Sequence, residues 1–270
     1  MGFNFPMPEL PEVETVVRQL QQTVQGKKIV SVTIHDPKVA AANVVKAKNS
    51  TIVNVSRRGK YILMELSNRS ILLAHLRMTG HFQYLSQKKP LQKYCTALLQ
   101  FNDGSALTHH DIRRFGELSF LSAAETEQRL SSLGPEPLAK NFTLAQFQTL
   151  FAQYPRAQIK TKLLDQSFLA GLGNIYAQEA LYHAGIHPAA AIRDIPALKQ
   201  KKLYTEIRRI LTLAIEKNGT TVDNYAHLDG KGDFQEFLAV YQQTHCPKKH
   251  SLKFLRLGGR GTSYCPTCQK

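Results

Sequence analysis

The sequence lacks long apolar runs, and none approaches the roughly 20 residues that a membrane-spanning helix needs. It also begins without the basic, apolar and small-residue order of a signal peptide, so we expect a cytoplasmic protein. Cysteine is scarce: Cys95 stands alone, and the other three cysteines lie close together near the end of the chain. This distribution is a poor disulfide framework and a better metal site.

Acidic residues are few relative to basic ones. The chain has 35 Lys and Arg against 20 Asp and Glu, which gives a formal net charge of +15. A charge of this sign suits a polyanionic partner, and nucleic acid is the leading candidate. The length of 270 residues and the hydrophobic fraction of 43% allow two domains, each with its own core.

The spacing of apolar residues divides the chain into a strand-rich first part and a helical second part. Val13, Val16 and Val17 recur at helical spacing behind Pro11, which predicts a helix over 11–25. Short β-rich runs separated by glycines then predict a compact antiparallel sandwich or barrel. These runs are 29–35, 51–56, 61–66, 71–76, 96–101 and 117–121, with the clearest hairpin turn at 102–104.

The region 122–140 is polar and contains Gly134-Pro-Glu-Pro137, a sequence that breaks regular structure and is typical of a linker. Helix-spaced apolar residues follow at 143–154, 158–164, 176–184 and 195–217. We therefore predict a β-sandwich domain over 1–125, a linker over 126–140, a helical domain over 141–240 and a metal-binding segment over 241–270.

Cys265-Pro-Thr-Cys268 is the strongest chemical motif in that last segment, because two thiolates at this spacing form a metal knuckle. Cys246 lies upstream across a basic, hairpin-like stretch, where a second Cys-x-x-Cys pair would be expected. Lys249 occupies the position of its second cysteine. His250 can supply the fourth ligand through a Cys-x₃-His step, and three thiolates with one imidazole suit tetrahedral Zn²⁺. His245 is the less favoured substitute, because it directly adjoins Cys246.

The segment Met7-Pro-Glu-Leu-Pro-Glu-Val-Glu14 admits two interpretations of Pro8. On composition alone, this proline belongs to a turn that precedes a helix. If Met7 is the initiator, its removal leaves Pro8 with a free secondary amine, whose reference pKa of about 8 lies well below that of lysine. Such an amine can attack a sugar C1′ and form a Schiff base. The adjacent Glu9 is then placed to donate and accept protons.

Eight short motifs give a more specific indication. They are Pro8-Glu-Leu-Pro-Glu-Val-Glu14, Arg58-Gly-Lys60-Tyr, His75-Leu-Arg-Met78, Asp111-Ile-Arg-Arg-Phe-Gly116, Leu133-Gly-Pro-Glu-Pro137, Gly171-Leu-Gly-Asn-Ile-Tyr176, Gly185-Ile-His-Pro188 and Gly258-Gly-Arg-Gly-Thr262. Their order and spacing from Met7 to Lys270 resemble the formamidopyrimidine-DNA glycosylase family. The endonuclease VIII branch shares the amino-terminal chemistry. The stretch Asp111-Ile-Arg-Arg-Phe-Gly116 and the linker Gly134-Pro-Glu-Pro137 resemble the formamidopyrimidine branch more.

The resemblance implies an α+β fold: an amino-terminal antiparallel β-sandwich with a flanking helix, then a helix–two-turn–helix domain that ends in a zinc-finger β-hairpin. It implies a monomer that binds damaged double-stranded DNA, associates with the bacterial nucleoid and holds one structural Zn²⁺. The implied reaction is excision of oxidised purines such as 8-oxoguanine and formamidopyrimidines. Cleavage of the strand at the abasic site by β/δ-elimination would follow through a Schiff base on Pro8.

Site residues are implied by the matching motif positions. The catalytic set is Pro8 as nucleophile, Glu9 as general acid and base, and Lys60 and Arg260 on DNA phosphate. The DNA-binding set is His75, Met78, Arg113, Arg114, Phe115, Lys160 and Asn174. Of these, Met78, Arg113 and Phe115 match a wedge that fills the gap left by a flipped-out base. Without the resemblance, Met78 and Phe115 would be interpreted as core, and Lys60 and Arg113 as solvated charges.

Three alternatives remain open from the sequence. If residues 1–7 are retained, the nitrogen of Pro8 is an amide and not nucleophilic, and the chain is a non-catalytic paralogue that binds damaged DNA. An endonuclease VIII-like glycosylase would act on oxidised pyrimidines instead. An RNA-binding zinc-ribbon protein would explain the charge and the cysteines but not the amino-terminal motif. The segment 229–234 matches a family loop over the everted base and is slightly shorter than usual, which leaves lesion preference open.

Overall fold

The computed structural model describes residues 7–87, 90–220 and 232–270, and the chain forms two compact units. The first unit comprises Met1–Ser132 together with Asn218–Gly232. The second comprises Leu133–Lys217 and Asp233–Lys270. Residues 229–231 of the predicted loop at 229–234 lie outside the described residues.

Helix α1, Leu10–Val24, opens the first unit and agrees with the helix predicted from the sequence. Pro11 lies in its first turn, where the missing N–H costs no hydrogen bond, and Glu12 complements the positive end of the helix dipole. The apolar residues at helical spacing, among them Val13, Val16 and Val17, are all buried. This face anchors the amino-terminal segment to the core of the unit.

Eight strands of the first unit form two four-stranded antiparallel sheets, of order β1-β6-β7-β5 and β2-β3-β4-β8. The strands are β1 Ile29–Ile34, β2 Ile52–Arg58, β3 Tyr61–Leu66, β4 Ile71–His75, β5 Gly80–Leu85, β6 Cys95–Phe101, β7 Ala106–Asp111 and β8 Glu117–Leu121. The predicted hairpin at 102–104 is confirmed, since β6 and β7 pair on either side of it. One apolar core is built from residues of both sheets and of α1, which confirms the sandwich.

Helix α2, Ala123–Leu130, occupies part of the region predicted to be polar linker. The side chain of Ser122 accepts a hydrogen bond from the Glu125 backbone N–H, and the Glu125 carboxylate accepts one from the Ser122 N–H in return. This Ser-x-x-Glu capping box is a helix signal in its own right. Because the segment is polar overall, it was predicted to be a linker, and this helix was missed.

The second unit contains four α-helices and a hairpin. They are α3 Leu144–Ala152, α4 Ile159–Leu163, α5 Asn174–Ala184, α6 Ala197–Glu216 and the strands β9 Lys253–Leu257 and β10 Arg260–Tyr264. Thr143 caps α3 through its side chain, and Gly185 ends α5 in the left-handed conformation, with φ of 69°. The helical predictions are confirmed to within two residues at each end. The α+β class is therefore confirmed in both units.

Candidate functional site

Pro8 and Glu9 lie immediately before helix α1, and both are buried. Glu9 is the N-cap residue, in an extended conformation, and its backbone N–H donates to Glu12 Oε2 at 2.9 Å. The first turn of the helix therefore fixes the backbone that carries the predicted nucleophile and the predicted proton carrier.

Glu12 is a residue of this site that the sequence analysis did not single out. Its carboxylate is only 3% exposed, and its Oε1 accepts from the backbone N–H of Thr220 at 2.9 Å and from the Thr220 hydroxyl at 3.0 Å. Glu12 thus holds Glu9 on one side and Thr220 on the other. The local signal was available, because an acidic residue three positions after an N-cap completes a capping box, but its link to Thr220 was not.

Lys60 lies in the turn between β2 and β3 and is 8% exposed. Gly59 forms that turn with φ of 59°, in the left-handed region that glycine adopts without strain. Tyr61 pairs in register with His75 of β4, and their rings meet edge to face with centroids 4.7 Å apart. The sheet therefore places the predicted residues Lys60 and His75 next to one another.

His75 is uncharged at neutral pH. Burial, together with the positive charges of Arg77, Lys60 and Arg129, lowers its pKa from 6.5 to about 3. Its Nδ1 accepts a hydrogen bond from the Arg77 backbone N–H at 3.0 Å, so Nε2 carries the ring proton. His75 can therefore donate one hydrogen bond to an anion, but it brings no positive charge.

The predicted wedge residues Met78, Arg113 and Phe115 lie on two loops that are joined by a hydrogen bond from the Arg113 backbone to the Thr79 side chain. The Arg113 N–H donates to Thr79 Oγ1 at 3.0 Å and to Asp111 Oδ1 at 3.2 Å. Phe115 is 52% exposed, and the Arg113 guanidinium lies 5.0 Å from the centre of its ring. Phe115 is therefore not a core residue, and the loops present an aromatic ring and a cation to solvent.

Arg114 differs from its neighbours because it already has an anionic partner. Its guanidinium forms a two-pronged contact with Asp36, with Nε to Oδ2 at 2.5 Å and Nη2 to Oδ1 at 2.8 Å. This contact keeps the pKa of Asp36 below its ordinary value. Arg114 remains half exposed, and its predicted contact with DNA stays a prediction.

Lys160 and Asn174 meet in the second unit. Lys160 is fully buried, and its Nζ donates to Asn174 Oδ1 and to Thr262 Oγ1, both at 2.7 Å. Asn174 in turn donates from Nδ2 to the carbonyl oxygen of Gly261 at 3.3 Å. The first turn of α5 and the strand β10 are thus cross-linked by one ammonium group, and the predicted DNA-binding role of Lys160 stays untested.

Arg260 begins β10, at the end of the hairpin turn, and its side chain is exposed. Gln178 of α5 supports this hairpin, since its Oε1 accepts from the Ser263 N–H at 2.6 Å. Arg260 is therefore presented to solvent by a hairpin whose backbone is held against α5.

Glu179 is a second supporting residue that sequence reasoning missed. It is 1% exposed and accepts hydrogen bonds from the backbone N–H groups of Ala239, Val240 and Tyr241 at 2.8, 3.0 and 2.8 Å. Burial raises the pKa of Glu179, although these three donors oppose the shift. The segment that leads into the cysteine cluster is therefore fastened to α5.

Cys246, His250, Cys265 and Cys268 form a cluster whose ligand atoms all lie within 4.8 Å of one another. His250 Nδ1 lies 3.6, 3.7 and 3.4 Å from the sulfurs of Cys246, Cys265 and Cys268. Tetrahedral zinc with ordinary Zn–S and Zn–N bonds requires N···S separations of about 3.6 Å. The four predicted ligands are brought together and could hold a metal ion, and the imidazole faces the cluster with Nδ1.

No helix in the described ranges is both long and apolar enough to cross a membrane. Comparison with known families gives two matches. Residues 7–118 match the formamidopyrimidine-DNA glycosylase N-terminal domain, and residues 133–226 match the formamidopyrimidine-DNA glycosylase H2TH domain.

Curated relatives match almost the whole chain. A formamidopyrimidine-DNA glycosylase of Protochlamydia amoebophila is 40% identical over 278 residues, which cover 98% of this chain and 100% of the relative. Another, of Streptococcus mutans, is 39% identical over 274 residues, with 98% and 100% covered.

Solved structures agree with the curated relatives. Lactococcus lactis Fpg in complex with DNA containing an abasic site has a TM-score of 0.91 and 32% identity, with 97% of this chain and 99% of that chain covered. The wild-type Lactococcus lactis protein with DNA containing N7-benzyl-Fapy-dG also gives 0.91 and 32%, with 97% and 100% covered.

Proposed function

The chain belongs to the formamidopyrimidine-DNA glycosylase family, and we propose that it excises oxidised purines from damaged duplex DNA and then cleaves the strand. The observation that carries this proposal is the full-length match to curated glycosylases together with the position of Pro8 and Glu9 at the start of α1. The family match begins at Met7, the residue before Pro8. With DNA as substrate, the protein would work in the bacterial cytoplasm, at the nucleoid.

The proposed chemistry begins with the amine of Pro8, once the Met7–Pro8 bond has been cleaved. Its lone pair attacks C1′ of the damaged nucleotide, the N-glycosidic bond breaks, and the base leaves with the bonding electron pair and a proton. Glu9 supplies and recovers protons during ring opening of the sugar. The resulting Schiff base acidifies the C2′ proton, and its removal expels the 3′ phosphate. No oxidant or reductant is consumed.

Charged and polar side chains would contact the phosphates of the bound strand. Lys60 and Arg260 are the proposed catalytic phosphate contacts, and Asn174 adds a neutral donor at the start of α5. Phe115 and Arg113 would enter the stack where the damaged base leaves it, since flipping a base costs a few kcal/mol that apolar insertion offsets.

The cysteine–histidine cluster would hold one Zn²⁺ in a structural role. All four positions are occupied by protein ligands, which is the arrangement of a structural rather than a catalytic zinc site. When bound, the ion would cross-link the segment around Cys246 to the cysteines that follow β10, and it would take no part in the reaction. The hairpin that carries Arg260 would depend on it.

Borohydride trapping on duplex DNA containing 8-oxoguanine tests the proposal. Protein whose first residue is Pro8, as established by mass spectrometry, is expected to form a covalent adduct at that residue. A matched preparation that retains residues 1–7 is expected to give no adduct while still binding the DNA. An E9Q variant, which lacks the carboxylate proposed to carry protons, distinguishes an effect on proton transfer from an effect on DNA binding.

Two outcomes would reverse these conclusions. Absence of trapping by protein that begins at Pro8 would contradict the enzyme and favour the non-catalytic paralogue. Efficient trapping on oxidised pyrimidines, with none on 8-oxoguanine, would favour the endonuclease VIII-like alternative.

A further inference from the structure

The turn that carries Lys60 is connected to helix α1 by a side chain that has no role in the proposed chemistry. Arg57 lies in β2, and its Nε donates to Glu14 Oε2 of α1 at 2.9 Å. Its Nη1 donates to the carbonyl oxygen of Gly59 at 2.9 Å. One guanidinium therefore joins the helix that begins beside Glu9 to the turn that carries Lys60.

Burial indicates that this contact is stronger than a surface ion pair. The side chains of Arg57 and Glu14 are 10% and 22% exposed, so water screens their attraction only in part. Glu14 also contacts Arg18 at 3.3 Å, but the Arg18 side chain is 56% exposed and this pair should contribute little. At its low exposure, Arg57 is unsuited to contact a DNA phosphate, and both Glu14 and Gly59 belong to the first unit.

The guanidinium geometry matters here, because its N–H groups point in fixed directions and reach two acceptors at once. A lysine places one nitrogen on a flexible stem and cannot reproduce both contacts. The carbonyl of Gly59 belongs to the peptide group that ends at the Lys60 nitrogen. Holding this oxygen therefore fixes the orientation of the peptide from which the Lys60 side chain departs.

We propose that Arg57 is a positioning residue for the reaction, which acts through Lys60 and is fixed to α1 by Glu14. This inference rests on the proposed function, in which Lys60 holds a phosphate while Pro8 and Glu9 react. A misplacement of 1 Å can slow an enzymatic step by about 100-fold, so a partial release of the turn should slow it by about tenfold.

The test is R57K, which keeps the positive charge but removes the planar guanidinium that reaches both acceptors. In single-turnover cleavage of 8-oxoguanine duplex at saturating protein, R57K is expected to be about tenfold slower than the wild type, with its DNA affinity within about twofold. E14Q should also cleave more slowly than the wild type, by a smaller factor than R57K. R18A, which removes the exposed partner of Glu14, is the matched control and should keep the wild-type rate.

A second comparison tests whether Arg57 acts through Lys60. In a K60A background, R57K should cause almost no further loss of trapping rate, because residues that act through one another are not additive. Thermal unfolding of each variant excludes a loss of folded protein, and E14Q keeps the test available if R57K does not fold.

Three results would overturn the inference: a wild-type rate in R57K and E14Q, a full-size loss that persists in the K60A background, or a loss confined to DNA affinity. If the wild-type protein cleaves the duplex while R57K is unchanged, only this inference fails. If wild-type protein that begins at Pro8 cleaves nothing, the proposed function fails and the inference fails with it.

Discussion

Replacement of His250 by alanine should release the metal ion that we propose for the cysteine–histidine cluster. His250 Nδ1 lies 3.4–3.7 Å from the three sulfurs, so it completes a four-ligand set that its removal leaves incomplete. Structural zinc sites contribute about 10–16 kcal/mol of binding free energy, and an equal share of about 3 kcal/mol per ligand predicts a roughly 100-fold loss of zinc affinity.

The loss of zinc should weaken the end of the hairpin that adjoins the cluster, while Gln178 and Lys160 still hold β10 against α5. The apolar cluster around the site is small and consists of Tyr182, Ala239, Val240, Cys246 and Cys265, with two partly buried neighbours. A core of this size does not compensate for a missing metal. We therefore expect H250A to lose affinity for lesion DNA while the first unit keeps its unfolding transition.

Zinc content after dialysis against a competing chelator is the direct measurement. The matched control is H245A, because His245 adjoins Cys246 but is exposed and bonds to Thr244 instead. Wild type and H245A should retain one zinc per chain, and H250A should retain little. Full zinc retention in H250A, or its loss in H245A, would refute the assignment of the fourth ligand.

Three further predictions follow from burial and charge. F115A should change the free energy of unfolding by less than about 0.5 kcal/mol, because the ring is exposed, yet it should lower the rate of base excision measured in single turnover. Burial lowers the pKa of His109 from 6.5 to about 3, so between these pH values the unfolded chain binds more protons than the folded one. The free energy of unfolding should therefore fall as pH falls through that window. In H109L, urea unfolding should show a smaller decrease of this free energy over the same pH range. R260A should reduce the slope of log affinity against log salt by about 1, as expected of a phosphate contact, whereas K160M should leave that slope unchanged if the buried ammonium only positions Asn174. An unchanged slope in R260A, or a reduced slope in K160M, would contradict these assignments.

Much of the fold could be predicted from local patterns. Helix α1 and the long helix α6 carry apolar residues at 3.6-residue spacing over many turns, and their bounds agree with the prediction to within two residues. Strand β7 was missed for a physical reason: all six of its residues are buried, and four of them are Thr, His, His and Asp, so neither alternation nor hydrophobicity marks it. A strand buried on both faces shows no period of two.

The predicted metal ligands and the predicted wedge residues could also be picked out from the sequence, but for a different reason. Cys265 and Cys268 are separated by two residues, and Arg113 and Phe115 by one, so each motif is contained in one short stretch of chain. What the sequence left ambiguous was exposure, since Phe115 fits a core as well as a solvent-facing loop. The structure decides this point, because the ring is 52% exposed on a loop whose Arg113 backbone N–H is held by the side chains of Asp111 and Thr79.

The supporting contacts could not be predicted, because they join residues that are distant in sequence. Arg57 and Glu14 are 43 positions apart, and Lys160 and Thr262 are 102 apart. Each partner alone resembles an ordinary surface charge or hydroxyl, and only the packing of a helix against a sheet or a hairpin gives it a buried partner. Polar groups buried in this way must be satisfied, since an unpaired one costs about 1–3 kcal/mol. Variants of these residues should therefore affect the orientation of Lys60 and Asn174 more than their chemistry, which kinetic and salt-dependence measurements can separate.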